Sequence, residues 1–392
     1  MRVVSLSSVC EVTAGQAAPQ ESGVFGAVGK PFIRAGSLER LIDGSREDEC
    51  ELISDETAKE LRLRLFPRDT ILFAKSGMSA TLGRIYRLKS PAYVVSHLAA
   101  LVPGSAIEPA YLQRWFERNP PSRLIPNEAY PSIRTSEIGA LKLELPELKE
   151  QQRIAAILDK ADAIRRKHQQ AMQLADEFLR SVFLDMFGDV YSNPKKWPQM
   201  ALGDWADILT GYAFPSEHFV DEGNDAVRLC RGANVLPGQL EWSDTEWWPI
   251  SDMEALSRFQ LSEGDVILAL DRPWISAGLK VAQVSNDDLP SLLVQRVARI
   301  RGRTRAESLF FFFAIDSAAF TRHCKPTETT IPHISPIELR AYMVPRPPDA
   351  LLDDFYQAAN ISLRQNNLMG RALDEAEHLF SSCCQRAFRG EL

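Results

Sequence analysis

The sequence predicts an α+β protein: two similar globular domains separated by a pair of long antiparallel coiled-coil helices, related by a pseudo-twofold internal repeat. Three observations predict it. Segments of the first half recur in the second at an offset that drifts only from 196 to about 201 residues. Each half opens with short runs of β-forming residues broken by Gly and Pro, and each closes with a long run whose apolar or small residues step by 3 and 4. The expected division is 1–145 and 191–345 for the globular domains and 146–190 and 346–392 for the helices. A chain of 392 residues is long enough for two or three folded units.

The repeat is read from four segments. Gly15 in VTAGQAAP aligns with Gly211 in ILTGYAFP, and Leu65–Leu72 with Leu261–Leu268, both at an offset of 196. Thr135–Pro146 aligns with Ile334–Pro345 at 199, and Ala175–Leu179 with Ala376–Phe380 at 201. Within each copy, strands are expected over 69–74 and 265–270, and again over 93–102 and 291–300. Short helices are expected around 109–118 and 306–321.

The closing runs read as helices. Between Lys149 and Met186 there is no Pro or Gly, and the seam Ile154, Ile157, Ala161, Ile164, His168, Ala171, Ala175, Phe178, Val182 alternates steps of 3 and 4. The second seam is Leu352, Phe355, Ala359, Ser362, Asn366, Met369, Leu373, Ala376, Phe380, Cys383, interrupted only by Gly370. Pro146 and Pro345, Pro347 and Pro348 mark the helix entries, where a missing N–H costs little. About 38 residues at 1.5 Å each make a rod of roughly 57 Å. The plainer reading, two ordinary core helices, sits poorly with uncapped runs this long. Two matching helices in one chain favour an intramolecular pair that holds the globular parts at opposite ends.

Apolar residues at 45% and charged residues at 25% exclude a disordered or collagen-like chain. A net charge of −7 excludes a uniformly basic nucleic-acid coat but not a local basic surface. Residues 57–90 hold eight basic side chains against Glu60 and Asp69, and Arg296, Arg299, Arg301, Arg303 and Arg305 crowd one stretch of the second half. Strand alternation would put the arginines from Arg299 onward on one face. Two basic regions, one per repeat, suit phosphate contacts; solvated faces that offset acids elsewhere suit the charge equally well. The second globular domain is acidic overall, which confines any such face to 296–305 and the loops near Arg272.

The six cysteines lack paired spacing, so neither a disulfide scaffold nor a zinc site is expected. Free thiols point to a reducing cytoplasm; Cys383–Cys384 reads as helix packing. The N-terminus makes a poor signal peptide. The apolar run Leu309–Ile315 is far short of the roughly 20 residues that span a bilayer, so no membrane association is expected. No phosphate loop, dinucleotide fingerprint, HExxH or nucleophile elbow occurs. Asn119-Pro-Pro-Ser122 is similar to the Asn-Pro-Pro-aromatic motif of adenine methyltransferases. Ser122 replaces the stacking aromatic, however, and no glycine-rich cofactor loop precedes it. A non-catalytic binding protein is expected, with no metal and no cofactor of its own.

Leu145-Pro-Glu-Leu-Lys-Glu-Gln-Gln-Arg-Ile, running on to Lys167, closely resembles the central conserved region of type I restriction–modification specificity subunits. Phe178–Gly188 is similar to the end of that region, Leu209–Phe214 to the start of a second target-recognition domain, and Ala387–Leu392 to the family's C-terminus. The helix entry Pro345-Arg-Pro-Pro-Asp departs from the pattern by lacking Glu-Gln-Gln-Arg-Ile, so partner docking there is expected to differ. The resemblance implies that each globular domain reads one part of a split, asymmetric double-stranded DNA target, with the helices as spacer. It implies assembly with two methyltransferase subunits, which bind S-adenosylmethionine, and with restriction subunits, which use ATP and Mg.

Recognition domains of this family vary, so the candidate contacts come from chemistry alone. In the first half they are Lys75, Ser76, Ser79 and Arg84, in a Gly-containing loop after a strand. In the second they are Arg272 and Trp274 in the equivalent loop, with Arg296, Arg299 and Arg301. Arg can take two acceptors of one guanine, and Lys and Ser can reach bases or phosphates; Trp274 also fits loop packing. Helix-packing candidates are Ile154, Ile157, Ala161, Ile164, Ala175, Phe178, Phe355, Ala359, Leu373, Ala376 and Phe380. Two other classes stay open: a coiled-coil scaffold that never touches DNA, and a specificity module of another methylation-based defence system.

Overall fold

A computed structural model describes residues 2–21, 23–127, 129–324 and 332–389. In the second long helix, the side chains of 363–371, 374, 378, 384, 385 and 387–389 lie outside that description, which takes in the seam positions Asn366 and Met369 and one half of the Cys383–Cys384 pair. The architecture is α+β in two compact units. One takes Met1–Gln169 with Arg371–Leu392, the other Gln170–Gly370.

Period-2 patterning builds the first unit. Cys10–Ala14, Leu98–Pro103, Ile71–Ala74 and Ile85–Arg87 lie side by side in that order as an antiparallel sheet. Ile71, Phe73, Ala99 and Leu101 point to one face and join a core with the helix Pro109–Arg118. Leu72, Ala74, Leu98 and Ala100 point to the other, where they meet a three-stranded sheet of Glu51–Ile53, Lys30–Ile33 and Tyr93–Val94. Both faces are covered, so the strands read as continuous apolar runs. Arg2–Ser5 pairs with Lys142–Leu145 beside the entry to the first long helix.

The second unit repeats this plan. Asp207–Thr210, Val297–Arg301, Val266–Ala269 and Val281–Gln283 form the four-stranded sheet, and Glu246–Pro249, Ala226–Cys230 and Ser291–Leu293 the three-stranded one. Gln199–Ala201 pairs with Met343–Pro345. Gly15 and Gly211 occupy matching positions, donating to the carbonyls of Leu98 and Val297 at 3.1 Å each. A Cβ at either would lie 2.2 Å from the carbonyl oxygen of Val94 or Val294, which is why both are Gly.

Matching hydrogen bonds correct two of the sequence offsets. Leu88 N–H donates to the Thr70 carbonyl as Val284 N–H does to Asp265, so this segment aligns at 195, not 196. Asp69 therefore corresponds to Gly264, and both are left-handed, with φ of 69° and 90°. A slip of one residue exchanges the faces of a strand, so Ile71 answers to Val266 and not to Ile267. The helix Thr135–Ala140 likewise matches Pro336–Ala341 at 201, not 199. The runs 93–102 and 291–300 are each two strands in different sheets, broken by a turn.

The long helices span Leu148–Phe187 and Asp349–Arg389. In the first unit Ile154, Ala155 and Leu158 are buried in the core, with Phe380 and Cys383 packed against it. In the second unit Leu179, Phe183 and Phe187 are buried with Leu352, Phe355 and Ala359. The start of one helix thus shares a unit with the end of the other, and they run antiparallel within each. Ile157, Ala161, Ala175, Leu373 and Ala376 are half-buried. Ile164 and Phe178, expected in the seam, are 52% and 58% exposed. A 3.5-residue seam drifts against a 3.6-residue helix, and here the buried stripe is the one that packs into each unit's core beside the helices Pro109–Arg118 and Arg305–Ile315: Gln151, Ile154, Ala155, Leu158, Asp162 at one end.

Arg114 ties that stripe down. Its side chain, 9% exposed, donates to Asp159 Oδ1 at 2.8 Å, Asp162 Oδ2 at 3.1 Å and Glu117 at 2.7 Å, with the Phe380 ring 5.9 Å from its guanidinium carbon. Burial alone would raise the Asp162 carboxyl, but Arg114, Arg165 and Arg166 outweigh it and hold it below the ordinary carboxylate range.

Candidate nucleic-acid interface

The broken β run puts a turn at the same place in each unit. In the first, Lys75 N–H donates to the His97 carbonyl at 2.9 Å, Ile133 N–H to the Lys75 carbonyl at 2.8 Å, and Gly77 N–H to Pro131 at 3.0 Å. In the second, Leu270 N–H donates to Arg296 at 2.9 Å, Ile334 N–H to Leu270 at 2.8 Å, and Arg272 N–H to Pro332 at 3.0 Å. Three segments are stitched together by the same backbone bonds in both copies, at Lys75–Gly77, His97 and Pro131–Ile133 and at Leu270–Arg272, Arg296 and Pro332–Ile334.

The side chains on this common frame differ. In the first unit Ser76 Oγ and His97 Nδ1 share a hydrogen bond of 2.9 Å, and Ser76 bridges to Ser132 through the backbone. In the second unit the same positions carry Asp271, Arg296 and His333. Asp271 Oδ2 forms an ion pair with Arg296 Nη1 at 3.0 Å, and its Oδ1 lies 2.6 Å from His333 Nδ1. Arg272 and Arg296 are left-handed, with φ of 47° and 65°. A non-Gly residue there costs roughly 1–2 kcal/mol.

Of the first-unit candidates, Lys75 and Ser76 lie on this frame and Ser79 on the short turn Met78–Ala80 that follows. Arg84 is ion-paired with Glu39. In the second unit Arg272 is exposed and makes no ion pair among the described residues, and the Arg296 side chain is 73% exposed. Trp274 is half-buried, packs against the core and has its indole N–H enclosed, so it serves loop packing.

Arg299 and Arg301 require correction. Their strand is central in a sheet covered on both faces, so alternation carries Arg299 inside and leaves Arg301 half-buried at the strand's end. Arg299 is 5% exposed and ion-paired with Asp207. Burial, with Arg301 beside it, pulls its guanidinium below the ordinary value. Arg301 grips the buried Asp265 through two bonds of 2.5 and 2.7 Å. Arg299 is itself enclosed, and Arg301 cannot meet a phosphate without abandoning the buried carboxylate of Asp265. Asn119, in the methyltransferase-like tetrapeptide, donates its side-chain amide to the Trp115 carbonyl at 3.0 Å and closes the helix Pro109–Arg118.

Sequence reasoning missed His97, Ser132, Asp271 and His333. The recurring Pro-x-Ile of Pro131–Ile133 and Pro332–Ile334 was the available signal, hidden by the two-residue error in that offset. Burial pushes the thiols of Cys10, Cys230 and Cys324 up to about 12, which leaves them protonated and poor ligands or nucleophiles. Among the described residues no cluster of His, Cys, Asp and Glu could hold a metal, and no helix is long and apolar enough to cross a membrane.

Residues 1–174 match the family described as the type I restriction modification DNA specificity domain, and the whole chain superposes on a solved member. Residues 1–174 form a type I restriction modification DNA specificity domain. The solved member is the S subunit of a type I system from M. genitalium, matched with a TM-score of 0.60 at 11% identity over 99% of this chain and 96% of that one; at that identity the likeness is one of fold. The EcoAI specificity subunit of Escherichia coli is 36% identical over 162 residues, 41% of this chain. The MjaIX specificity subunit of Methanocaldococcus jannaschii is 21% identical over 78% of this chain and 73% of its own length. The chain spans 27% of the EcoAI subunit and 45% of the MjaVIII subunit of M. jannaschii.

Proposed function

We propose that this chain is the non-catalytic DNA-reading component of a type I restriction–modification complex. Residues 1–145 and 191–345 act as two target-recognition domains, and the long helices of 146–190 and 346–392 as the spacer between their half-targets. The duplicated turn frame carries this reading: one backbone scaffold, built twice, displays Ser76, His97 and Ser132 in one copy and Asp271, Arg296 and His333 in the other. Frames stitched by the same backbone bonds but carrying different polar side chains suit a reader of two different half-sites, because phosphate contacts position a protein while side chains at base edges specify sequence. Lys75, Ser76, Ser79, Arg272 and Arg296 remain the candidate contacts. The match of residues 1–174 to a type I specificity domain supports assembly with methyltransferase subunits that bind S-adenosylmethionine and with restriction subunits that use ATP and Mg. The exposed Ile164 and Phe178 offer apolar area for such partners.

The test mixes the purified chain with its methyltransferase subunits and DNA. The chain alone is expected neither to methylate nor to cut, and its addition is expected to confine methylation to one sequence. A methyltransferase with the same sequence preference in the chain's absence contradicts the reading.

A further inference from the structure

We propose that Arg296, positioned by Asp271, reads a guanine in one half of the target, while Arg272 beside it holds the DNA backbone. This deepens the reading of the chain as a DNA reader and rests on it. The observation is a conjunction of strain, buttressing and exposure at one turn of the second unit.

Arg272 and Arg296 flank Asp271 on the stitched frame, and both are left-handed. The frame itself does not demand a large side chain at the first position, because its counterpart in the other copy is Gly77, with φ of 75°. Arginine there is kept against its own backbone preference, and strain of this kind gathers at functional sites.

The two arginines differ in what faces them. Arg296 Nη1 is ion-paired with Asp271 Oδ2 at 3.0 Å, and Asp271 Oδ1 is in turn held 2.6 Å from His333 Nδ1. The ion pair draws the guanidinium toward the turn through Nη1 and leaves the Nε–Nη2 edge as a two-donor fork. It also cancels the local charge, which disfavours a phosphate against that fork. A neutral base edge with two acceptors meets no such penalty, and guanine N7 and O6 in the major groove present that pair. Arg272 is exposed, with no carboxylate paired to it among the described residues, and suits a phosphate. Arg296 is thus the specificity residue, Asp271 and His333 are positioning residues, and Arg272 is an anchoring residue.

The test is selection of DNA from a randomised library by the full chain in complex with its methyltransferase subunits, comparing wild type with R296A, R296G, D271N and R272G. Because both arginine positions are left-handed, the glycine variants are expected to melt no lower than wild type, which separates binding from folding. Wild type should select a motif with an invariant G·C pair. R296A and R296G should lose the preference at that pair alone, by about 5- to 150-fold, with the rest of the motif intact. D271N should weaken the same preference less. R272G should lower affinity for all sequences alike and reduce the salt slope by about 1. If wild type selects no motif, the DNA-reading function itself fails. A motif that survives R296A unchanged, or an R296A defect uniform over all sequences, overturns the assignment of Arg296. Undiminished affinity in R272G overturns that of Arg272.

Discussion

Arg114→Ala is expected to destabilise the first unit by about 3 kcal/mol, read as a drop in its urea midpoint. Removing one partner of a buried ion pair costs roughly 3–5 kcal/mol, chiefly through the charge left behind. Here Arg165 and Arg166 still face Asp162, at 2.7 and 3.0 Å, which places the loss at the lower end. Arg114→Met keeps the volume over Phe380 and should cost less. The same network sets an acid limit. The folded Asp162 carboxyl lies below its unfolded value near 4. Its contribution is therefore complete above about pH 4 and lost as pH falls through the lower folded value. The Arg114→Met variant should show a flatter fall in stability over that acid range.

Phe355→Ala should cost about 3–5 kcal/mol in the second unit, the usual range for emptying a buried aromatic site. Phe355 is fully buried, and its ring lies 5.3 to 5.7 Å from those of Phe187, Phe313 and Phe183. Phe355→Leu should cost less than about 1.5 kcal/mol. Each of these two variants should move the midpoint of its own unit and leave the other in place. They test a particular feature of the fold, that each unit is completed by parts of both long helices.

The repeat, the strand-rich halves and the two long helices were legible because they rest on patterns that tertiary contact reinforces. Gly15 and Gly211 are conspicuous for the same reason: a backbone crossing at 2.2 Å from any Cβ admits no substitute. What stayed hidden depends on where a pattern breaks. Residues 291–300 contain no Gly, Pro, Asn or Asp, so nothing marks the turn that takes Arg296 out of the strand and leaves Arg299 inside it. Arg299 and Arg301 look like surface charge in sequence, because their partners Asp207 and Asp265 stand 92 and 36 residues away. Ile164 and Phe178 fit the heptad but not the face that each unit's core buries. The turn frame itself is held by backbone bonds, which leave little trace in composition.

The central claim is that one chain reads a target in two separate parts. Mapping modified adenines across the host genome, with and without this chain, tests it most directly. The account predicts a single asymmetric motif, two specified parts flanking a gap of fixed length, present only when the chain is present. An uninterrupted motif, or a pattern of modification that persists unchanged in its absence, would contradict it.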